Sequence, residues 1–98
     1  MNIKQKKENK VVTLSISGRV DTNTSPELLE CLKEVMPGAE ELVLDLEGVD
    51  YVSSAGLRVI LFAQKTMNSQ GSMKVINVNQ DIMETFELTG FTDILNIE

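Results

Sequence analysis

The chain has 98 residues, with 15 acidic and nine basic side chains, so its formal net charge is −6 at neutral pH. This length suits one small domain spanning residues 1–98 and is too short for two. The acidic balance argues against a nucleic-acid partner, because phosphate backbones are bound by clustered basic surfaces.

The composition also bears on location and catalysis. No segment reaches the roughly 18–20 apolar residues needed to cross a bilayer, and the basic N-terminus has no apolar secretion signal. We therefore expect a cytoplasmic protein without a membrane partner. The chain lacks histidine. Its one cysteine, Cys31, lies within a predicted helix, where we expect it to be a small packing residue. We expect no catalytic residue, no cofactor and no metal site.

Two strands are predicted at the start of the chain. Ile3–Lys7 is a polar edge strand, Glu8–Lys10 is a hairpin turn, and Val11–Ser17 alternates between apolar and polar residues. The apolar residues of the second strand share one face: Val12, Leu14 and Ile16.

The first helix has clear boundary signals. Thr24 or Ser25 can cap it, and Glu27 follows Thr24 at the spacing of a capping box. Pro37 and Gly38 end it. Its predicted inner stripe comprises Leu28, Leu29, Leu32, Val35 and Met36.

A buried strand, Leu42–Leu46, is predicted to run through a short polar turn into a second helix, Ser54–Gln70, which Gly71 closes. The predicted inner residues of this helix are Leu57, Ile60, Leu61 and Met67.

The last predicted elements are a strand, Met73–Val78, a third helix and a short final strand, Ile94–Ile97. Asn79 or Asp81 caps the helix, whose inner residues are Ile82, Met83 and Phe86, and Gly90 ends it. The resulting order, ββαβαβαβ, predicts an α/β fold with a mixed sheet, a parallel centre and helices packed against it.

Two adjacent serines, Ser53 and Ser54, stand at the predicted start of the second helix. Free backbone N–H groups and the positive end of the helix dipole suit either a neutral capping serine or a phosphorylated one. Simple capping, with Ser53 as the cap, explains the pair without any regulation.

Three strings carry a resemblance to a known family. They are GRVDTNTSPEL (18–28), LVLDLEGVDYVSSAGLRVIL (42–61) and ETFELTGF (84–91). Through them nearly the whole chain resembles an anti-sigma-factor antagonist of the STAS domain family. The family phosphorylation pattern is Asp-Ser-Ser/Thr-Gly-Leu or a near relative. Aligned on Gly56 and Leu57, it implies Ser54 as the phosphoacceptor.

The resemblance also implies a surface. Ser53 replaces the acidic residue that often precedes the acceptor, so Ser53 is a rival acceptor. Asp21 matches an acidic recognition residue, although a loop residue that binds nearby N–H groups is an equal alternative. The implied partner-binding residues are Asp21, Thr22, Asn23, Thr24, Ser53, Ser54, Ala55, Gly56 and Arg58.

The implied mechanism is partner switching. The unmodified protein binds an anti-sigma factor that is also a serine kinase, phosphorylation releases it, and a serine phosphatase restores binding. One alternative is a STAS interaction module that holds a signalling assembly together without phosphorylation. Another is an enzyme in which Asp21, Asp45 and Asp50 collect a cation, which the lack of a P-loop or ligand cluster disfavours.

Overall fold

The protein is built on one four-stranded sheet whose strands lie in sequence order. The computed structural model describes residues 1–98. The strands are β1 (Asn2–Glu8), β2 (Val11–Val20), β3 (Glu41–Val52) and β4 (Ser72–Ile76). The helices are α1 (Ser25–Val35), α2 (Ser54–Asn68) and α3 (Gln80–Thr89), followed by a 3₁₀ turn at Phe91–Asp93. β1 pairs antiparallel with β2, whereas β2, β3 and β4 pair in parallel, which confirms the predicted mixed sheet.

All three helices pack against one face of the sheet. Because β2, β3 and β4 follow one another in the same direction, right-handed crossovers place α1 and α2 on the same side. One apolar cluster joins the strands to the three helices, and Ile82 and Phe86 attach α3 to it. The predicted inward residues of β2, Val12, Leu14 and Ile16, are buried in this cluster.

The strand β3 is longer than predicted. The polar segment from Glu47 to Asp50 continues the strand to Val52 instead of forming a turn. Its partner β2 also continues, through two register shifts and a left-handed Gly18. At Gly48 a side-chain carbon would lie 2.6 Å from the Ser17 Cβ, so glycine lets the two strands stay paired across the irregularity.

The predicted final strand is reduced to a single bridge between Ile97 and Val75. The backbone N–H groups of Ile94 and Leu95 donate instead to the Phe91 carbonyl, at 3.0 and 2.8 Å. Because the 3₁₀ turn uses these groups, only two hydrogen bonds join the last residues to Val75.

The inner face of α2 also differs from the prediction. Leu57, Ile60 and Met67 are buried as expected, but Leu61 is only half-buried. Val59 and Ala63 are buried in its place. The helix packs against the sheet and also against α1, so its apolar arc extends toward α1.

The helix ends follow the predicted signals in part. Asn79 caps α3 by accepting a hydrogen bond from the Ile82 N–H at 2.9 Å, and Gly90 ends α3 in the left-handed conformation. However, α2 ends at Asn68 with Ser69 as its C-cap, and Gly71, whose N–H donates to the Met67 carbonyl at 2.7 Å, has a second role. A side-chain carbon at Gly71 would overlap the backbone carbonyl of Glu40, because the two segments enter the sheet side by side.

We expect Gly71→Ala to lower the free energy of unfolding by about 3 kcal/mol, because the overlapped Glu40 atoms belong to the backbone and cannot rotate away. Gly38→Ala is the matched control. That site has positive φ but no atom within 4 Å of the added carbon, so only backbone strain of about 1 kcal/mol is expected. Urea unfolding of both variants measures the difference. Equal destabilisation would contradict the steric explanation.

Candidate functional site

The two serines lie where the parallel strands β2 and β3 end together. Val20 and Val52 form the last pair of this ladder. The Ser53 N–H then donates to the Val20 carbonyl at 2.9 Å. The loop that follows β2, residues 21–24, therefore lies beside the first turn of α2.

Gly56 allows this close approach. A side-chain carbon there would lie 2.7 Å from the Val20 carbonyl oxygen and 3.0 Å from a Val52 methyl group. Because both neighbours belong to the strand ends, a larger residue would push α2 away from β2. Gly56 itself is buried, so it positions the neighbouring residues but adds little to the exposed surface of the site.

Ser53 is the cap of α2. Its backbone is extended, and its hydroxyl oxygen accepts a hydrogen bond from the Gly56 N–H at 3.3 Å. Its carbonyl accepts the Leu57 N–H at 2.9 Å. The capping role predicted for Ser53 is therefore confirmed.

Ser54 is the first residue of α2, and its side chain is exposed. Its hydroxyl makes no hydrogen bond within the protein. The backbone N–H groups of Ser54 and Ala55 also lack partners in the chain, as expected at a helix start. A free hydroxyl thus lies beside free N–H donors at the positive end of the helix dipole.

Asp21 organises the neighbouring loop. Its Oδ1 accepts hydrogen bonds from the backbone N–H groups of Asn23 and Thr24, at 2.9 and 3.1 Å. Its Oδ2 lies 3.5 Å from Nε of Arg19. The expectation that Asp21 binds nearby N–H groups is confirmed, whereas its role in partner recognition stays a prediction.

The predicted capping box of α1 does not form. Thr24 occupies the cap position, but its hydroxyl donates to the Arg19 carbonyl at 2.7 Å and accepts the Asp21 N–H at 2.9 Å. The Asp21 carbonyl takes the Ser25 N–H at 2.8 Å. Thr24 therefore ties the loop to the end of β2, while Thr22 and Asn23 remain exposed at its tip.

Hydrogen bonds from the loop favour the ionised form of Asp21. The Thr24 N–H contributes most to holding the pKa of the Asp21 carboxyl below its usual value, and partial burial acts in the opposite direction. The Asn23 N–H, the Thr24 hydroxyl and Arg19 lower this pKa further. Asp21 is therefore a fixed negative charge at neutral pH.

The sequence patterns missed two residues of this surface. The Arg19 guanidinium lies over the Tyr51 ring, 4.3 Å from its centroid, and Tyr51 is 43% exposed. The two residues are cross-strand partners. Their pairing depends on the register shift in β2, which no local pattern reveals, although a Tyr close before the serine pair is a usable signal.

Arg58 completes the exposed side of α2. It follows Ser54 by four residues, so the two side chains share one side of the helix. Arg58 is exposed and forms no ion pair. It is the cation of α2 that lies nearest to Ser54 along the sequence.

The three carboxylates considered for a cation do not converge. Asp50 lies in β3 and not in a loop as predicted, and no group of three potential ligands forms. Asp45 accepts hydrogen bonds from the Asn77 amide at 3.0 Å and the Glu47 N–H at 3.1 Å. A hollow of about 340 Å³ adjoins Asp45 on the open sheet face, and it shares no residue with the serine site.

Asp21→Asn should lower Tm by a few degrees at pH 7, because the neutral amide weakens the hydrogen bonds that Oδ1 accepts and replaces the Oδ2 contact with Arg19 by an NH2 group. The Asp21 pKa is lower in the folded than in the unfolded protein, where it is about 3.9. The carboxylate therefore stabilises the fold above about pH 4, and this stabilisation is lost as pH falls through the folded-state pKa. The difference in Tm between wild type and variant should therefore be smaller at pH 3 than at pH 7.

Thermal unfolding of both proteins at the two pH values tests this expectation. Asp50→Asn is the control, because the Asp50 side chain is exposed and accepts no hydrogen bond within the protein. A gap between wild type and Asp21→Asn that widened on acidification would contradict the assignment.

Comparison with known proteins places this geometry in a family. The family model described as "Mlab, STAS domain" matches residues 3–96. The anti-sigma-B factor antagonist of Bacillus subtilis (strain 168) is 30% identical over 98 residues, covering 99% of this chain and 90% of that protein.

Solved structures share the fold. An anti-sigma factor antagonist from Mycobacterium paratuberculosis matches with a TM-score of 0.89 at 22% identity, over 98% of this chain and 83% of that one. The Bacillus cell fate determinant SpoIIAA in its phosphorylated form matches with a TM-score of 0.77 at 11% identity, over 99% and 91%. No helix of this chain is long and apolar enough to span a bilayer. The family match and the shared fold together show that this chain belongs to the STAS domain family, as its sequence motifs predicted.

Proposed function

We propose that the protein is an anti-sigma-factor antagonist of the cytoplasm, switched by phosphorylation of Ser54. With Ser54 unmodified it binds an anti-sigma factor, and with Ser54 phosphorylated it releases that factor. The observation that carries this proposal is the exposed Ser54 hydroxyl, free of hydrogen bonds, at the start of α2.

Two relatives support the proposal. The Bacillus subtilis protein, which is similar to this chain along almost its full length, is named an anti-sigma-B factor antagonist. SpoIIAA has been solved in a phosphorylated form, and it has the same fold as this chain. A domain of this fold is thus compatible with a phosphate.

The local geometry favours Ser54 over Ser53 as the acceptor. The Ser53 oxygen already accepts a hydrogen bond from the Gly56 N–H, and the side chain is half-buried. A phosphate on Ser53 would disturb the cap, which is worth about 1 kcal/mol. A phosphate on Ser54 would disturb no hydrogen bond of the folded chain.

A phosphate at this place would act locally. It adds a charge of about −1.5 to −2 at neutral pH. The free N–H groups of Ser54 and Ala55 and the helix dipole can hold it without unfolding the domain. The neighbouring Asp21 loop is already negative, so phosphorylation makes one continuous surface more anionic.

This change is large enough for a switch. Like charges brought together in a dry interface cost several kcal/mol, and about 1.4 kcal/mol is a tenfold change in affinity. No conformational change is required. Thr22, Asn23 and Arg58 are exposed around Ser54 and would line the same contact.

The family resemblance implies the partners. The bound anti-sigma factor is itself the serine kinase and uses ATP, and a serine phosphatase restores the binding form. The chain acts by binding and not by catalysis. Its target output is transcription that depends on a sigma factor, without contact between this chain and nucleic acid or a membrane.

A second candidate is a STAS module with a permanent docking surface. Ser53 stands where related sequences often carry an acid, and the exposed side chains around Ser54 would serve a fixed contact equally well. In that case phosphoserine would be absent from protein isolated under every growth state, while the complex persisted.

We expect Ser54→Ala to bind the anti-sigma factor as tightly as the unmodified protein and to stay bound when ATP is added. Ser54→Asp should bind at least about tenfold more weakly, because it places a permanent charge in the contact. Calorimetry with the purified anti-sigma factor, with and without ATP, measures both effects.

Ser53→Ala is the matched control, since it removes the neighbouring hydroxyl but leaves Ser54 in place. It should lose some stability and still accept one phosphate, as measured by mass spectrometry. If the kinase phosphorylated Ser54→Ala to full stoichiometry, Ser54 would not be the acceptor and Ser53 would take its place.

A further inference from the structure

A groove runs along the outer surface between α1 and α2. Two adjoining hollows of about 320 and 260 Å³ form it, and they share Lys33 of α1 and Phe62 of α2. It begins at Arg58, one turn beyond Ser54, and extends away from the serine site toward the end of α1.

The floor of the groove is apolar and accessible. Phe62 is 39% exposed, and Leu29 is only half-buried although it belongs to the predicted inner stripe of α1. Val59 and Met36 continue the same surface and are largely covered. A large aromatic ring left in water between two helices costs hydrophobic free energy that a partner could recover.

The rim of the groove is basic, although the molecule as a whole has a net negative charge. Lys33 and Arg58 line it, and no acidic residue does. Neither cation takes part in an ion pair. The nearest acids of α1 are Glu30 and Glu34. Glu30 lies one turn before Lys33 on the same side of the helix, but neither acid lines the groove.

We infer that this groove binds an amphipathic helix of another protein, with acidic residues flanking its apolar anchors. A third helix fits between two packed helices by placing its ridge of side chains in their groove. Apolar anchors would cover Phe62 and Leu29, and acidic neighbours would pair with Lys33 and Arg58.

Other occupants fit less well. An anionic bilayer would meet only two groove cations and a net charge of −6, whereas membrane attachment needs several clustered bases. A second copy could offer Leu88 of α3, which is 89% exposed beside Glu84 and Glu87. Two copies would bring together like net charges, and a contact between different surfaces would continue into rings or open chains.

The test uses the full chain and a fluorescent 14-residue helical peptide with a leucine stripe flanked by glutamates. A control peptide of otherwise identical sequence carries lysine at every glutamate position. The glutamate peptide should bind at least tenfold more tightly by anisotropy, and it should shift the backbone amide signals of Leu29, Lys33 and Phe62 in ¹⁵N-labelled protein.

Charge reversal supplies the specificity control. Lys33→Glu with Arg58→Glu should weaken binding of the glutamate peptide at least tenfold and strengthen binding of the lysine peptide. Lys33→Glu alone should act in the same direction and leaves every proposed switch residue intact. Lys4→Glu with Lys7→Glu changes the charge equally on β1, away from the groove, and should affect binding much less.

Four results would overturn the inference. The first two are equal binding of the two peptides and amide shifts confined to another surface. The third is self-association in sedimentation that both Phe62→Glu and Leu88→Glu abolish, which would assign the groove to a second copy. The fourth is binding to phosphatidylserine vesicles that Lys33→Glu with Arg58→Glu abolishes, which would assign the groove to a membrane. No arm uses a kinase or a phosphate, so failure here leaves the Ser54 proposal intact.

Discussion

The missing side chain of Gly56 is the constraint on which the site depends. Only glycine lets the first turn of α2 rest on the Val20 carbonyl, at the point where β2 and β3 end together. This contact has two consequences for the site. It fixes the direction in which α2 leaves the sheet, and it brings Ser54 beside the loop that Asp21 holds in shape. A buried backbone contact thus positions an exposed hydroxyl.

The small surface around Ser54 is negative on one side and positive on the other. The loop side carries the Asp21 carboxylate, held ionised by backbone donors, while the helix side carries free N–H groups and Arg58. Ser54 lies at the boundary between them. A phosphate there could be bound by the helix side and repelled by the loop side, so its main effect would fall on whatever approaches from solvent.

Much of the fold could be predicted because local patterns matched the tertiary structure. The alternation of Val12, Leu14 and Ile16 set the buried face of β2, and Asn79 and Gly90 marked the ends of α3. The sequence patterns failed where contacts between segments distant in the chain determine the structure. The polar run from Glu47 remains a strand because β2 stays paired beside it, and Gly71 is required by Glu40, 31 positions away.

The site was predicted unevenly for the same reason. The position of Ser53 as a cap is local, so spacing alone predicted it, and it is confirmed. The stack of Arg19 on Tyr51 depends on a register shift between strands and was missed. Thr24 stands at the expected cap position, yet its hydroxyl donates to the Arg19 carbonyl and accepts the Asp21 N–H, and it accepts no hydrogen bond from the first turn of α1.

The adjacent serines have different roles in the fold. Ser53 completes the helix, and Ser54 contributes nothing to it beyond its backbone. Mutations at Ser54 are therefore nearly free of selection for foldability. Under the proposed function, a lineage could abolish the regulation, or make it permanent, in one substitution and still inherit an intact fold, so closely related chains can diverge in signalling while their architecture stays the same.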